Sequence, residues 1–232
     1  MMQILRPDDM HLHLRDTVYL QSVIGHTAAR FARAIVMPNL KPPVRNPDDA
    51  HAYRERILQA AARAGFPDFE PLMTLYLTDD TPVSWIQAAA ESDTIHGIKL
   101  YPAGATTHSD AGVTGIDKIY PQLEAMQKHR IPLLVHGEST HPQVDVFDRE
   151  SAFLDAEMTR IVRDFPELRI VLEHVTTAAG IGFVRAHRER MAATITAHHL
   201  LINRSDIFRG GLRPHHYCLP VDRKSTRLNS SH

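Results

Sequence analysis

The sequence predicts an α/β fold of the (β/α)8 TIM-barrel type, with about seven of the eight strands present in its 232 residues. Short apolar runs alternate with longer segments whose apolar residues recur at helical spacing, which is typical of a parallel sheet covered by helices. No glycine-rich phosphate loop follows the first run, and this argues against an open dinucleotide-binding sheet. Several of the apolar runs end at residues whose side chains can take part in chemistry. A barrel gathers the carboxyl ends of its strands around one mouth.

Residues 1–221 are predicted to form this single incomplete barrel, with strands and helices in strict alternation. The first strand is expected to end at His11 and His13, and the later strands are expected at residues 34–37, 72–77, 95–101, 131–135, 169–173 and 192–196. The helices between them are expected at residues 17–31, 46–64, 81–90, 117–129, 148–165 and 176–187.

The first two helices have recognisable faces and caps. Leu20, Ile24 and Ala28 recur at the spacing of one helix face. Asn46 suits an N-cap and Pro47 suits the first helical position, and the acidic residues that follow are favourable in a first turn. These features predict where the second helix begins.

The later helices are predicted from their apolar faces. Ile119, Leu123 and Met126 share one face of the fourth helix, and Phe153 and Met158 mark the inner side of the fifth. Each of these helices precedes an apolar run, so the strand-then-helix order continues through the chain.

The composition is that of an ordinary globular protein, with 43% hydrophobic residues, 23% charged residues and a net charge of -1. The charges form neither a basic stripe for nucleic acid nor a block, and no apolar run approaches the roughly 20 residues that cross a bilayer. The single cysteine, Cys218, excludes an internal disulfide. With no signal-peptide pattern, it predicts a reducing, cytoplasmic location. The sequence leaves open whether the chain forms a homodimer.

Four histidines at predicted strand ends indicate a metal site. His11 and His13 are two residues apart and therefore face the same side of a strand, while His136 and His174 end the fifth and sixth strands. Imidazole suits zinc and similar divalent ions. Each histidine taken alone is equally compatible with a hydrogen-bonded side chain at a partly solvent-exposed strand end. The prediction of a metal site therefore depends on the four histidines together.

Lys99, near the end of the fourth predicted strand, has two interpretations. A lysine ammonium repels a metal ion, so the residues alone favour a lysine paired with an acid. Lys99 becomes a ligand only if its amine reacts with carbon dioxide to give a carbamate, whose two oxygens can bridge two metals.

Five segments carry a resemblance to a known family. They are residues 7–16 (PDDMHLHLRD), 35–39 (IVMPN), 97–102 (GIKLYP), 134–138 (LVHGE) and 173–177 (EHVTT). These segments resemble the dihydroorotases, most of all the shorter bacterial type, within the amidohydrolase superfamily of (β/α)8 barrels. The resemblance extends from Ile4 to about Val221. The H-x-H pair marks only the superfamily, whereas the segments around Asn39 and Lys99 are more specific.

The resemblance implies a hydrolase of cyclic amides that interconverts N-carbamoyl-L-aspartate and dihydroorotate in pyrimidine (UMP) synthesis. It implies two Zn²⁺ ions, the first held by His11 and His13, the second by His136 and His174, with carbamylated Lys99 bridging them. It also implies substrate contacts from His13, Arg15, Asn39, Thr106, Thr107, His136 and Leu219. On physical grounds alone, the two threonines fit a polar surface loop equally well, and Leu219 fits an ordinary apolar position.

The sequence departs from the family after Val221. The family's eighth strand carries a Gly-Thr-Asp-Ser segment whose aspartate is both a ligand and the general base, and these 232 residues contain no such segment. Residues 222–232 resemble nothing in the family and are expected to be a foreign or frameshifted, disordered tail, with a native flexible terminus as the alternative. We therefore expect unpaired edges at strands one and seven, no general base, and little or no activity.

Two further interpretations remain open. The chain could be another cyclic amidohydrolase of the hydantoinase or allantoinase kind, or a non-catalytic homologue kept as a scaffold. Arg15 with Asn39 favours an acidic substrate because arginine suits carboxylates. The full set of candidate ligands argues against a scaffold, which has no need of one.

Overall fold

Seven parallel strands form one sheet, and each pairs with the next along the chain. This arrangement is seen in a computed structural model that describes residues 5–221. The strands are β1 (Asp9–Leu12), β2 (Arg33–Val36), β3 (Glu70–Tyr76), β4 (Ile95–Leu100), β5 (Leu133–Val135), β6 (Ile170–Leu172) and β7 (Met191–Ala193). The tail expected at 222–232 lies outside the described residues.

Helices follow the strands, as repeated strand–helix units require. They are α1 (Thr17–Ala28), α2 (Pro47–Arg63), α3 (Val83–Ala90), α4 (Tyr120–His129), α5 (Arg149–Phe153), α6 (Thr159–Asp164), α7 (Ala178–Ala186) and α8 (Ala197–Leu201). The helix predicted at 148–165 contains a π-helical segment, Leu154–Met158, between α5 and α6. The sequence predicted nothing at α8. Between residues 5 and 221, no helix is long and apolar enough to cross a membrane.

The sheet curls and brings the carboxyl ends of distant strands together. His11 in β1 lies with its Nδ1 atom 2.5 Å from Oε2 of Glu173, which follows β6 directly. In a flat sheet, strands one and six would be about 24 Å apart, at five spacings of about 4.8 Å. The curvature therefore confirms the predicted incomplete (β/α)8 barrel. Within residues 5–221, β1 and β7 each have one paired neighbour and form the two expected edges.

Apolar side chains of the central strands are buried, which explains their near-continuous apolar sequences. Leu100, Leu133, Val135 and Leu172 are fully buried in one hydrophobic cluster between the sheet and its helices. Burying one such side chain contributes about 1.5–3 kcal/mol. This cluster fixes the strands whose ends carry the polar residues.

The start of α2 is set by the predicted cap. The Asn46 side chain accepts a hydrogen bond from the backbone N–H of Asp49 at 2.9 Å, and Pro47 is the first helical residue. This satisfies a donor that the helix leaves unpaired at its amino end.

A tight loop between β4 and α4 carries Thr106 and Thr107. The Val113 N–H donates to the Tyr101 carbonyl at 2.8 Å and folds the loop back on itself. Gly112 lies inside this fold, where a Cβ atom would overlap the backbone carbonyl oxygens of Tyr101 and Ser109. The loop therefore has no room for a side chain at position 112.

Gly112→Ala is expected to lower the free energy of unfolding by about 1–3 kcal/mol, because the overlapped atoms belong to the backbone and cannot turn aside. Urea denaturation followed by circular dichroism measures this loss. Gly115→Ala is the matched control, since a Cβ there would meet no atom within 4 Å. Equal unfolding midpoints for the two variants would contradict the prediction.

Candidate metal centre and substrate cavity

Side chains at the carboxyl ends of four strands meet at the mouth of the curled sheet. His11 lies in β1 and His13 just after it, Lys99 lies in β4, His136 follows β5 and His174 lies just beyond β6. The His11 ring centroid is 5.0 Å from those of both His13 and His174, and the His136 and His174 rings are 4.8 Å apart. The charge of Lys99 is near enough to lower the pKa of His136 and His174, after burial as the main cause.

The two histidines of the H-x-H pair point their Nε2 atoms at one another at 3.1 Å. On the far side of the His11 ring, Nδ1 lies 2.5 Å from Oε2 of Glu173. Burial alone would raise the pKa of Glu173, but Lys99 and the hydrogen bond from His11 hold it below its usual value. Glu173 is thus an anion that keeps a proton on Nδ1 of His11. The lone pair of His11 then lies on Nε2, facing His13, at about the separation of two nitrogens on one tetrahedral ion.

Glu173 is a functional candidate that the sequence analysis gave no role. Its side chain is 1% exposed and also accepts a hydrogen bond from Thr194 Oγ1 at 2.8 Å. A carboxylate behind a ligating imidazole fixes its tautomer and orientation. Glu173 stands directly before His174, and adjacent strand residues face opposite sides, so sequence alternation gave no reason to place both at the centre.

Glu173→Gln is expected to weaken metal binding at the His11–His13 pair by about 10- to 100-fold, the usual effect of removing such a partner. Competition with a coloured chelator measures the affinity, and circular dichroism checks the fold. Glu70→Gln, at an exposed position in β3, is the control. An unchanged affinity in the Glu173 variant would show that this carboxylate does not orient His11.

His136 has a comparable buried partner. Its Nε2 atom lies 2.6 Å from Oε2 of Glu138, and both side chains are almost completely buried. Burial raises the pKa of Glu138 to about 8 and lowers the pKa of His136 well below its usual value. When Glu138 is ionised, Nε2–H of His136 donates a hydrogen bond to the carboxylate, and the Nδ1 lone pair of His136 is then available to a metal.

Lys99 is fully buried, and its Nζ atom has no hydrogen-bond partner among the described residues. Burial lowers the pKa of Lys99 to about 8, and the charge of Glu173 opposes that shift. Lys99 Nζ lies 5.0 Å from the centroid of the Tyr101 ring, but an ammonium without a hydrogen-bond partner is costly to bury. Another buried polar atom, Nδ1 of His174, also lacks a partner within residues 5–221. Such unpaired groups fit a centre that binds further polar or charged species.

The backbone around His174 is held by a buried carboxylate on α5. His174 has a φ angle of +41°, a region that non-glycine residues rarely adopt. Glu150 accepts hydrogen bonds from the backbone N–H groups of Thr176 and Thr177, each at 3.0 Å. These bonds fix the chain just beyond His174 and help to maintain its unusual conformation.

A cavity of about 470 Å³ opens above the histidines and contains every residue predicted to contact substrate. Its described lining includes His11, His13, Arg15, Asn39, Tyr101, Thr106, Thr107, His136, His174, Thr196, His198, His199, Tyr217, Cys218 and Leu219. Lys99 is not in this lining. Among the described residues of this lining there is no aspartate and no glutamate.

Arg15 and Asn39 lie side by side in the cavity wall. The Arg15 guanidinium donates to the Asn39 backbone carbonyl at 3.3 Å, and the Asn39 amide donates to the Thr107 carbonyl at 3.0 Å. Asn39 is 2% exposed, and its side chain also interacts with the His13 ring. Asn39 therefore links the arginine to the threonine loop, and the wall presents a cation beside polar groups.

The chain matches the amidohydrolase family model over residues 8–199 and belongs to that family. Family members are generally metal-dependent. The predicted resemblance to dihydroorotases is confirmed: the chain is 60% identical to the dihydroorotase of Cupriavidus necator over 223 residues, covering 96% of this chain and 64% of that protein. It is 59% identical to the dihydroorotase of Ralstonia pickettii with the same coverage. The chain thus spans slightly less than two thirds of the length of these relatives.

Solved structures give the same result. The dihydroorotase from Campylobacter jejuni superimposes with a TM-score of 0.85 at 42% identity, covering 94% of this chain and 62% of that one. The Saccharomyces cerevisiae dihydroorotase in complex with 5-fluoroorotic acid gives 0.84 at 34% identity, with the same coverage. The L-hydantoinase from Arthrobacter aurescens gives 0.75 at 13% identity over 93% of this chain and 52% of that one, and shows a shared fold alone.

Proposed function

We propose that this chain is the metal-binding part of a dihydroorotase, which interconverts N-carbamoyl-L-aspartate and dihydroorotate in pyrimidine synthesis. The observation that carries the proposal is the meeting of His11, His13, His136 and His174 around one cavity whose wall also holds Arg15. The single cysteine is the basis for proposing a reducing, cytoplasmic compartment.

The proposed centre holds two Zn²⁺ ions, with His11 and His13 on the first, His136 and His174 on the second, and carbamylated Lys99 between them. The donor set fits: the two Nε2 atoms of the first pair are 3.1 Å apart, and the buried Lys99 Nζ has no hydrogen-bond partner among the described residues. Imidazole and oxygen donors are suitable ligands for zinc. When bound, such ions polarise a carbonyl group and lower the pKa of water.

The chain's own residues bind and orient the substrate. Arg15 is proposed to hold the substrate carboxylate through its planar set of donors, with the Asn39 side chain beside it. Thr106 and Thr107 offer hydroxyl donors from the loop over the cavity. Leu219 is proposed to contact the ring through its backbone, and it is half-buried in the lining of the same cavity.

Arg15→Met is expected to weaken binding of N-carbamoyl-L-aspartate to the zinc-loaded chain by about 10- to 100-fold, since a charge-assisted hydrogen bond contributes about 1.5–3 kcal/mol. Isothermal titration calorimetry measures the affinity. Arg209→Met, at an exposed arginine paired with Asp206, is the control. N-carbamoyl-β-alanine, which lacks the second carboxylate, should bind the parent chain more weakly and be insensitive to the Arg15 change.

The same titration separates the alternatives. A hydantoinase- or allantoinase-like site should bind neutral hydantoin at least as well as dihydroorotate and should tolerate the Arg15 change. A non-catalytic scaffold should bind neither zinc nor N-carbamoyl-L-aspartate. Either result would overturn the proposed function.

A further inference from the structure

Three metal-ligating side chains outside the proposed two-zinc centre lie together beyond β7. They are His198 and His199 on α8 and Cys218, about twenty residues later. One donor atom from each lies within 4.8 Å of the others. His199 is buried, and the other two are half-buried at the wall of the same cavity. The sequence spacing alone gave no metal motif, because the fold creates this cluster.

The buried histidine is already oriented as a ligand. Nε2 of His199 lies 3.0 Å from the carbonyl oxygen of Pro220. A carbonyl only accepts hydrogen bonds, so Nε2 carries the proton and the lone pair lies on Nδ1. Proteins fix ligating imidazoles in this way, with the second ring nitrogen donating to a backbone carbonyl.

A single hydroxyl group occupies the space between the two imidazoles. Thr196 Oγ1 lies 2.7 Å from Nδ1 of His199 and 3.1 Å from Nε2 of His198. A hydroxyl has one proton to donate, and it satisfies the His199 lone pair in the metal-free chain. Both imidazole nitrogens therefore face Thr196 Oγ1, and Cys218 lines the same small pocket as the two histidines.

The donor set selects the kind of ion. Two imidazoles and a thiolate suit zinc and similar borderline-soft ions, whereas magnesium and calcium prefer oxygen. In a tetrahedral zinc site, neighbouring donors are about 3.3–3.7 Å apart, so the present cluster must contract by about 1 Å. His198 and Cys218 are half-buried whereas His199 is buried, so the proposed contraction is assigned to the first two side chains.

We propose that His198, His199 and Cys218 form a third metal site for a zinc-like divalent ion, with its fourth position open to the cavity. The ion would join α8 to the segment that carries Leu219, next to Cys218. It would thereby fix one wall of the cavity. The site shares no ligand with the proposed two-zinc centre, so it does not depend on the proposed function.

Cobalt(II) titration of the full 232-residue chain tests the site, because thiolate ligation to cobalt gives a charge-transfer absorption. Cys218 is the only cysteine, so any such band reports this residue alone. We expect the band in the parent chain and its loss in Cys218→Ser. His198→Gln should raise the cobalt dissociation constant read from the band by at least about tenfold. Zinc should compete the band away and slow the reaction of Cys218 with a thiol reagent.

Two controls separate this site from its surroundings. His215→Gln changes an exposed histidine outside the cluster and should leave the band unchanged. Lys99→Met should remove ions from the proposed two-zinc centre and also leave the band unchanged. Absence of the band in the folded parent chain would overturn the proposal. A band of undiminished affinity in His198→Gln would do so as well, because the thiolate would then be binding cobalt without the histidine cluster.

Discussion

Lys99→Met is expected to lower zinc affinity at the proposed two-metal centre by at least about 100-fold while leaving the protein folded. Lys99 is fully buried at the point where four candidate histidine ligands converge, and none of the described residues that line the cavity is a carboxylate. Even the outer partners of metal ligands are worth 10- to 100-fold in affinity, so the loss of a bridging ligand should cost more. Methionine has a similar length and fills the same buried space, so the apo variant should remain folded.

Zinc content after dialysis and urea denaturation of the apo protein give the two measurements. Labelled bicarbonate adds a third: the parent chain should show a carbamate signal in its ¹³C NMR spectrum, and the Lys99 variant should lack it. Lys118→Met changes an exposed lysine that pairs with Asp79 and is the matched control. Full zinc retention by the Lys99 variant would show that the lysine is not a ligand. Zinc binding without a carbamate signal in the parent would exclude the bridge.

The order of the strands and the meeting of the histidines could be predicted because both follow from local patterns. An apolar run that stops at a histidine fixes the strand and the end of it that carries chemistry, as at Val135 and His136. In a parallel sheet these ends share one edge. Asn46 predicted the start of α2 correctly because a cap acts over three residues.

The partners of the histidines could not be predicted because they depend on contacts across the curled sheet. Glu173 approaches His11 from 162 positions away in sequence, and no local pattern encodes that contact. The structure of the region after β7 could not be predicted from the sequence either. There α8 is a short helix, and His199 reaches Pro220 only through the folding of the intervening segment. The π-helical segment between α5 and α6 has an extra residue in its helical turn. The apolar pattern of 148–165 is periodic enough to predict one continuous helix, so it does not indicate this segment.

The 232-residue chain is expected to bind dihydroorotate but to turn it over about 10²- to 10⁴-fold more slowly than the full-length Cupriavidus necator relative. That factor is the usual contribution of a general acid–base group. Among the described residues that line the cavity, none is a carboxylate. Glu173 and Glu138 are close by, but each is buried against a histidine and is therefore unable to reach a substrate in the cavity.

Turnover of dihydroorotate is measured in parallel for the zinc-loaded chain and for the relative. The Lys99→Met variant gives the background rate. Added formate should raise kcat of the parent chain without changing its affinity for N-carbamoyl-L-aspartate, because a small external carboxylate can accept the proton that no cavity residue accepts. The Lys99 variant should not respond to formate, since it lacks the metal centre at which the proton is released. Turnover equal to that of the relative would contradict the prediction, because another residue of the chain would then move the proton.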